Sequence, residues 1–191
     1  MPKVGMEPLR RASLVEATIS EIGRAHSLDV TVGQIARRAG MSTALAHHYF
    51  GGKDQIFLAA MRHILTEYGA EIRSRLREAT SPRGRAEAII DGSFAPSCFA
   101  PATVSAWMTL YADAPNSPET RRLLRLYQRR LRSNLRHALR PLCQHPERAA
   151  ETLAALIDGL YLRAALSEDD GAPHAVQSAR ATLDLLLREP A

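Results

Sequence analysis

The stretch 31–53 constrains the fold more than any other part of the chain: Thr-Val-Gly-Gln-Ile-Ala-Arg-Arg-Ala-Gly-Met-Ser-Thr-Ala-Leu-Ala-His-His-Tyr-Phe-Gly-Gly-Lys. Thr31 followed three residues later by Gln34 is a capping box, in which hydroxyl and amide satisfy the orphan donors of a new helix. Ile35, Ala36 and Ala39 give that short helix an inward face, and Gly40 can turn sharply after its last residue. Ser42 then caps a second short helix. Two helices joined by a tight glycine turn make a helix-turn-helix, and the second is sized to lie in the major groove of DNA.

The polar residues of the second helix suit that role. Ser42 and Thr43 stand at its N-terminus, Ala44 lets a backbone come close, and His47, His48 and Tyr49 offer donors and ring faces to bases or phosphates. Lys53, after Gly51-Gly52, would meet a phosphate from the start of the next helix, and Thr31 and Tyr49 are expected to grip phosphates with it. Two short helices at a glycine corner also occur in helical proteins that never touch DNA, so the motif alone leaves both readings open.

The order of residues narrows it. Gly40-Met41-Ser42, then His48-Tyr49-Phe50 and Lys53-Asp54, resembles the signature of the TetR family of bacterial repressors, whose recognition helix ends in an aromatic pair followed by a lysine. Upstream, Arg10-Arg11, Leu14, Ala17, Ile19, Gly23 and Val30-Thr31-Val32 match how the family's first helix leads into the motif. Ala46, where the family has a larger residue, and the Gly51-Gly52 corner are departures. The resemblance implies an all-α fold of about nine helices. It divides the chain into a three-helix DNA-binding domain at 8–68 (motif 31–50) and a helical ligand-binding and dimerisation domain at 69–191.

The rest of the chain is patterned for helices. Pro8 is placed to begin the first, with Leu14, Ala17, Ile19 and Ile22 as its apolar stripe and its end near Arg24 to Ser27. Phe57, Met61, Ile64, Tyr68, Ile72 and Leu76 recur at steps of three and four, predicting one long helix that acts as a lever out of the DNA-reading unit. Thr80-Ser81-Pro82-Arg83-Gly84 breaks it. Further helices are predicted over 86–94, from Pro101 to Ala114-Pro115, and from Pro118 through Leu142. The last of these carries Arg121, Arg122, Arg125, Arg129, Arg132, Arg136 and Arg140 on one flank, a charge run that reads as a solvated face. No alternating strand pattern or internal repeat is present.

Composition sets outer bounds. With 191 residues the chain can bury a proper core, and 25 Lys+Arg against 20 Asp+Glu is a mild basic excess compatible with a nucleic-acid partner. Only Lys3 and Lys53 are lysines, so that charge is nearly all arginine. Cys98 and Cys143 are far apart, which argues against a metal site and for free thiols. No apolar run approaches the roughly 20 residues of a membrane span, and no leader pattern opens the chain, so a soluble cytoplasmic protein is expected. No cofactor is indicated. An enzyme would need a reactive constellation, and no nucleophile elbow, His-Glu-x-x-His or phosphate-cradling loop occurs.

The segment 146–166 contains Leu153-Ala154-Ala155-Leu156-Ile157-Asp158-Gly159-Leu160-Tyr161-Leu162, apolar on nearly all sides, and such a helix must be covered all round. Val176, Ala179, Leu183, Leu186 and Leu187 stripe a final helix. These two, with their copies, would make a four-helix homodimer interface, whose two-fold symmetry suits a palindromic operator. Asp158 sits within the apolar run. With Trp107 and Tyr111, four apart, and Tyr161 it offers ring faces and one carboxylate, the chemistry that holds a quaternary ammonium ion. The same residues also fit an ordinary core, with Asp158 paired to Arg163 or capping an amide.

The opening Met1-Pro2-Lys3-Val4-Gly5-Met6, the Arg10-Arg11 pair, Ser133-Asn134-Leu135 and above all the run 154–163 resemble the branch of the TetR family that answers choline and controls glycine betaine synthesis genes. That resemblance implies choline as the effector that weakens repression. A repressor of efflux genes answering another lipophilic cation is the alternative; a binding protein without DNA function would leave the polar face of the recognition helix unused.

Overall fold

The computed structural model describes residues 5–25, 30–167 and 171–188, and among these the chain forms nine α-helices and one 3-10 turn with no strand. The residues 1–4, and Ser27 as a possible end of the first helix, lie outside the described residues. Helix α1 runs Met6–Ala25, α2 Val32–Arg38, α3 Thr43–Phe50, α4 Lys53–Glu78 and α5 Pro82–Ser93. After the 3-10 turn Pro96–Phe99 come α6 Pro101–Asp113, α7 Pro118–Leu139, α8 Pro146–Ala165 and α9 Ala172–Arg188.

Local chemistry sets these boundaries. Ser81 is the N-cap of α5, its hydroxyl accepting from the Gly84 amide at 3.0 Å, and Pro82 opens the helix where its missing N–H costs nothing. That start lies earlier than the expected 86, so the break after α4 is only three residues, 79–81. Helix α1 likewise starts at Met6, before Pro8, because proline is tolerated in a first turn. Helix α7 stops at Leu139, short of the expected Leu142, and the 3-10 turn had no counterpart among the expected elements.

The contacts group the chain into two units. One comprises 1–66 and 100–124, the other 67–99 and 125–191. In the first, α1 packs on α2 and on α6, and α2 packs on α3; Leu14, Ile22, Ile35, Ile56, Met61 and Leu110 are fully buried. Gly23 makes the α1–α6 contact possible, since a Cβ there would lie 2.9 Å from the Ala102 Cα. In the second, α8 packs on α9 and α5 on both, around Ile89, Ile90, Leu135, Leu139, Leu153 and Ile157. Burying each such side chain contributes about 1.5–3 kcal/mol.

Helix α7 divides as its pattern requires. Leu123, Tyr127, Leu131 and Leu135 are buried, and all seven flank arginines named from the sequence are exposed. Arg132 reaches Glu151 of α8 at 2.7 Å. Helix α8 buries Ala149, Ala150, Leu153, Ile157 and Tyr161 and leaves Leu156 and Leu160 half-exposed. Among the described residues no helix is long and apolar enough to cross a membrane.

Candidate functional site

The reading unit is assembled by caps and one corner. At Thr31 the reciprocal box forms: the Gln34 amide nitrogen donates to the Thr31 hydroxyl at 3.2 Å, and the Thr31 backbone N–H donates to the Gln34 side chain at 2.7 Å. The Thr31 hydroxyl also donates to Gln34 Oε1 at 2.9 Å, so its proton is spent within the box. Ala39, expected to face inward, is the half-buried C-cap of α2, and Gly40 follows at φ +66°, a left-handed conformation that glycine adopts without strain. Ser42 caps α3 by accepting from Leu45 N at 3.2 Å.

Helix α3 buries only Ala46. The small residue lets this helix sit close, and it leaves Ser42, Thr43, Ala44, His47 and His48 exposed on the other side. His47 is tied to the corner: its Nδ1 lies 2.9 Å from the Gly51 carbonyl oxygen, which can only accept. Nδ1 is therefore the donor in this contact. Gly51 reaches φ +80° to end the helix, and exposed Lys53 begins α4 two residues later.

Two residues outside the predicted set complete this surface. The Arg10 guanidinium donates to the Tyr49 hydroxyl at 3.4 Å, and that of Arg11 lies 5.7 Å from the Tyr49 ring centre and 5.1 Å from that of Phe50. Cation–π contacts of this kind contribute about 0.5–1 kcal/mol when exposed. They bring two positive charges of α1 to the end of α3. The Arg10-Arg11 pair was visible in the sequence as part of a helix start; its contact with an aromatic pair 39 positions away was not.

The four predicted ligand residues fall in two places. Trp107 and Tyr111 lie on α6 in the first unit, with ring centres 5.9 Å apart. Asp158 and Tyr161 lie on α8 in the second, inside a wider aromatic cluster. Tyr127 of α7 donates to Asp158 Oδ1 at 2.8 Å, which supplies the carboxylate with a hydroxyl where the sequence had suggested Arg163 or an amide. The Tyr127 ring meets Tyr68 of α4 edge-on at 5.7 Å. Tyr68 lies 2.9 Å from the Ser93 Oγ, and because Ser93 donates to the Ile89 carbonyl, Tyr68 is the donor between them. Tyr161 donates to the Cys98 carbonyl at 2.8 Å and packs on Phe99 at 5.3 Å.

Burial governs the titration of this cluster. Desolvation pushes the Tyr68 and Tyr161 hydroxyls well above the usual tyrosine range, so both are donors at every physiological pH. It pushes the Cys98 thiol up to about 11. Tyr68, Tyr127 and Phe99 were absent from the predicted site because they come from different helices; only their aromatic character hinted at them. Among the described residues no group of three His, Cys, Asp or Glu could hold a metal ion.

Comparison with known proteins places this architecture. The family model described as bacterial regulatory proteins of the tetR family matches residues 14–60, and that described as the C-terminal part of BetI-type transcriptional repressors matches 82–188. The HTH-type transcriptional regulator BetI of Brucella anthropi is 53% identical over 93% of this chain and 92% of its own length; that of Rhizobium meliloti is 51% identical over 87% and 83%. Among solved structures, a transcriptional regulator from Pseudomonas aeruginosa matches with TM-score 0.82 and 26% identity over 95% of this chain and 92% of its own. A regulator from Saccharomonospora viridis in complex with choline matches with TM-score 0.77 and 21% identity over 91% and 95%. The helix-turn-helix, the all-helical second half and these relatives agree: the chain belongs to the TetR family of bacterial regulatory proteins, with the C-terminal region of a BetI-type transcriptional repressor, and is a DNA-binding regulator and not an enzyme.

Proposed function

We propose that this cytoplasmic protein represses genes for glycine betaine synthesis from choline, binding a palindromic operator as a homodimer and releasing it when choline binds. The observation that carries the DNA half is α3, capped by Ser42 and exposed along Thr43, Ala44, His47 and His48. Thr43 and His47 read base edges there, and His48 flanks them. Ala44 lets the helix backbone approach. Lys53 and Tyr49 grip phosphates: the Tyr49 hydroxyl accepts from Arg10 and keeps its own proton for a phosphate oxygen. Thr31, its hydroxyl committed to Gln34, fixes the start of α2 against the backbone.

The dimer is supported by apolar surface on the last two helices. Leu156 and Leu160 of α8 are half-exposed and Leu185 of α9 is 63% exposed, surface that a second copy would cover. Two copies would hold their recognition helices about 34 Å apart, one turn of DNA.

Choline as effector is supported by Asp158 within an aromatic cluster and by the choline complex of the Saccharomonospora viridis relative. Asp158 and Tyr161, both in the second unit, are the residues assigned to the cation. The effector loosens DNA by binding one conformation of the lever α4 better than the other, a coupling commonly worth about 1–3 kcal/mol.

Fluorescence anisotropy of a duplex from the protein's own upstream region, at fixed salt, tests both halves. Specific binding that choline weakens, and that another chloride salt does not, is the expected result. Specific binding indifferent to choline would discard the effector; no specific binding would discard the operator.

A further inference from the structure

We propose that Gly159 is where a second copy of this chain comes closest, and that this glycine sets how tightly the two copies close. The inference rests on the homodimer reading above and deepens it, since that reading names helices and no residue at which they meet.

A glycine inside a helix is less stable than an alanine, so it needs a reason. Elsewhere the chain itself supplies one. At Gly23 a Cβ would lie 2.9 Å from the Ala102 Cα, and at Gly92 it would lie 2.6 Å from the Ile72 Cδ1. Gly159 stands well inside α8 and is exposed, and it alone among the described helix glycines would bring a Cβ to no neighbouring atom within 4 Å. Nothing in its own chain needs the missing side chain, so the body that needs it lies outside.

The surface around Gly159 points to that body. Leu156 and Leu160 beside it are half-exposed, and Leu166, seven residues on and so on the same side of the helix, is 71% exposed. Helix α9, packed on α8, adds Leu185 at 63%. Between the two helices runs a groove of about 340 Å³ whose walls include Leu160, Ala164 and Ala175. Projecting leucines and an open groove therefore belong to the same pair of helices. A two-fold dimer lays a surface against its own copy, and a surface that carries both knobs and a groove is complementary to itself. The spacing of two packed helices is set by the side chains at their contact. With only hydrogen at Gly159, a helix of the second copy can lie against the α8 backbone, close enough for the leucines of each copy to enter the other.

Fluorescence-detected sedimentation of the full-length protein over a dilution series reads the dimer dissociation constant. In Gly159→Ala the added methyl, present in both copies, should weaken the dimer by about tenfold or more, although alanine is the better helix former. Gly159→Leu should leave only monomer over the same series. A side chain there meets no neighbour in its own chain, so both variants should keep the wild-type far-UV circular dichroism. If the Leu variant does not fold, the Ala variant is read alone. A dimer as tight in the variants as in the wild type overturns the role of Gly159 and leaves the homodimer intact. A wild-type protein that is monomeric throughout overturns the homodimer reading, and this proposal with it.

Discussion

The corner between α2 and α3 and the cluster around Asp158 are built by opposite means. In the corner, Thr31 pairs with Gln34, Ser42 with Leu45 and His47 with Gly51, partners three or four residues apart. In the cluster, Tyr68 pairs with Ser93, Tyr127 with Asp158 and Tyr161 with Cys98, over 25, 31 and 63 residues. The corner forms wherever its own short segment forms. The cluster exists only after four helices have packed, so its geometry is hostage to the whole second unit.

The largest break in this contrast comes from the core. Leu153→Ala, at a side chain with 0% exposure, should cost about 2–5 kcal/mol in urea unfolding. It should loosen the Asp158 cluster on the same helix well before it touches operator recognition by α3. Tyr161→Phe is milder: it leaves the buried Cys98 carbonyl without its donor, a loss of about 1–3 kcal/mol by the same measurement.

Alkaline pH probes the cluster in another way. The Cys98 thiol is raised by burial to about 11, so above pH 9 the folded chain holds a proton that the unfolded chain has given up. Stability from this group is therefore complete below about pH 9 and falls as pH rises toward 11. Cys98→Ala should flatten that limb of a stability-against-pH curve. Ser42→Ala, on the local side, should cost about 1 kcal/mol in thermal unfolding, the ordinary worth of a cap, and should leave ligand affinity alone. Smallest in free energy is Lys53→Ala, expected to weaken binding to all DNA sequences alike and to lower the slope of log affinity against log salt by about one. A Lys53 variant with an unchanged slope would remove it from the phosphate contacts.

The same contrast explains what could be read from the sequence. Caps and a glycine turn are short-range chemistry, so the helix-turn-helix, the lever α4 and the arginine flank of α7 were all legible as patterns of three and four. Proline positions marked the starts of α6, α7 and α8 at Pro101, Pro118 and Pro146, and failed by two residues at Pro8 because a first turn accepts proline anywhere it needs no N–H. Asp158 stood out as a carboxylate in an apolar run, which signals that a partner exists without saying which. Tyr127 lies on the buried face of α7, where a sequence pattern records only that it is apolar enough to be inside. Nothing in the order of residues announced that α6 would pack against α1, since that contact joins positions about eighty apart.

That contact has a mechanical meaning. Where Gly23 meets Ala102, nothing larger than the Ala102 methyl, which has no rotamers, stands between the two backbones. A longer side chain can change rotamer and absorb a small movement, but this contact has no such slack, and a push on one helix becomes a push on the other. Helix α6 carries Trp107 and Tyr111, and α1 carries the arginines that hold Tyr49 and Phe50. A displacement of α6 would thus be handed to α1 as by a strut, and the slack in the chain of contacts lies only beyond it, in the two arginine side chains.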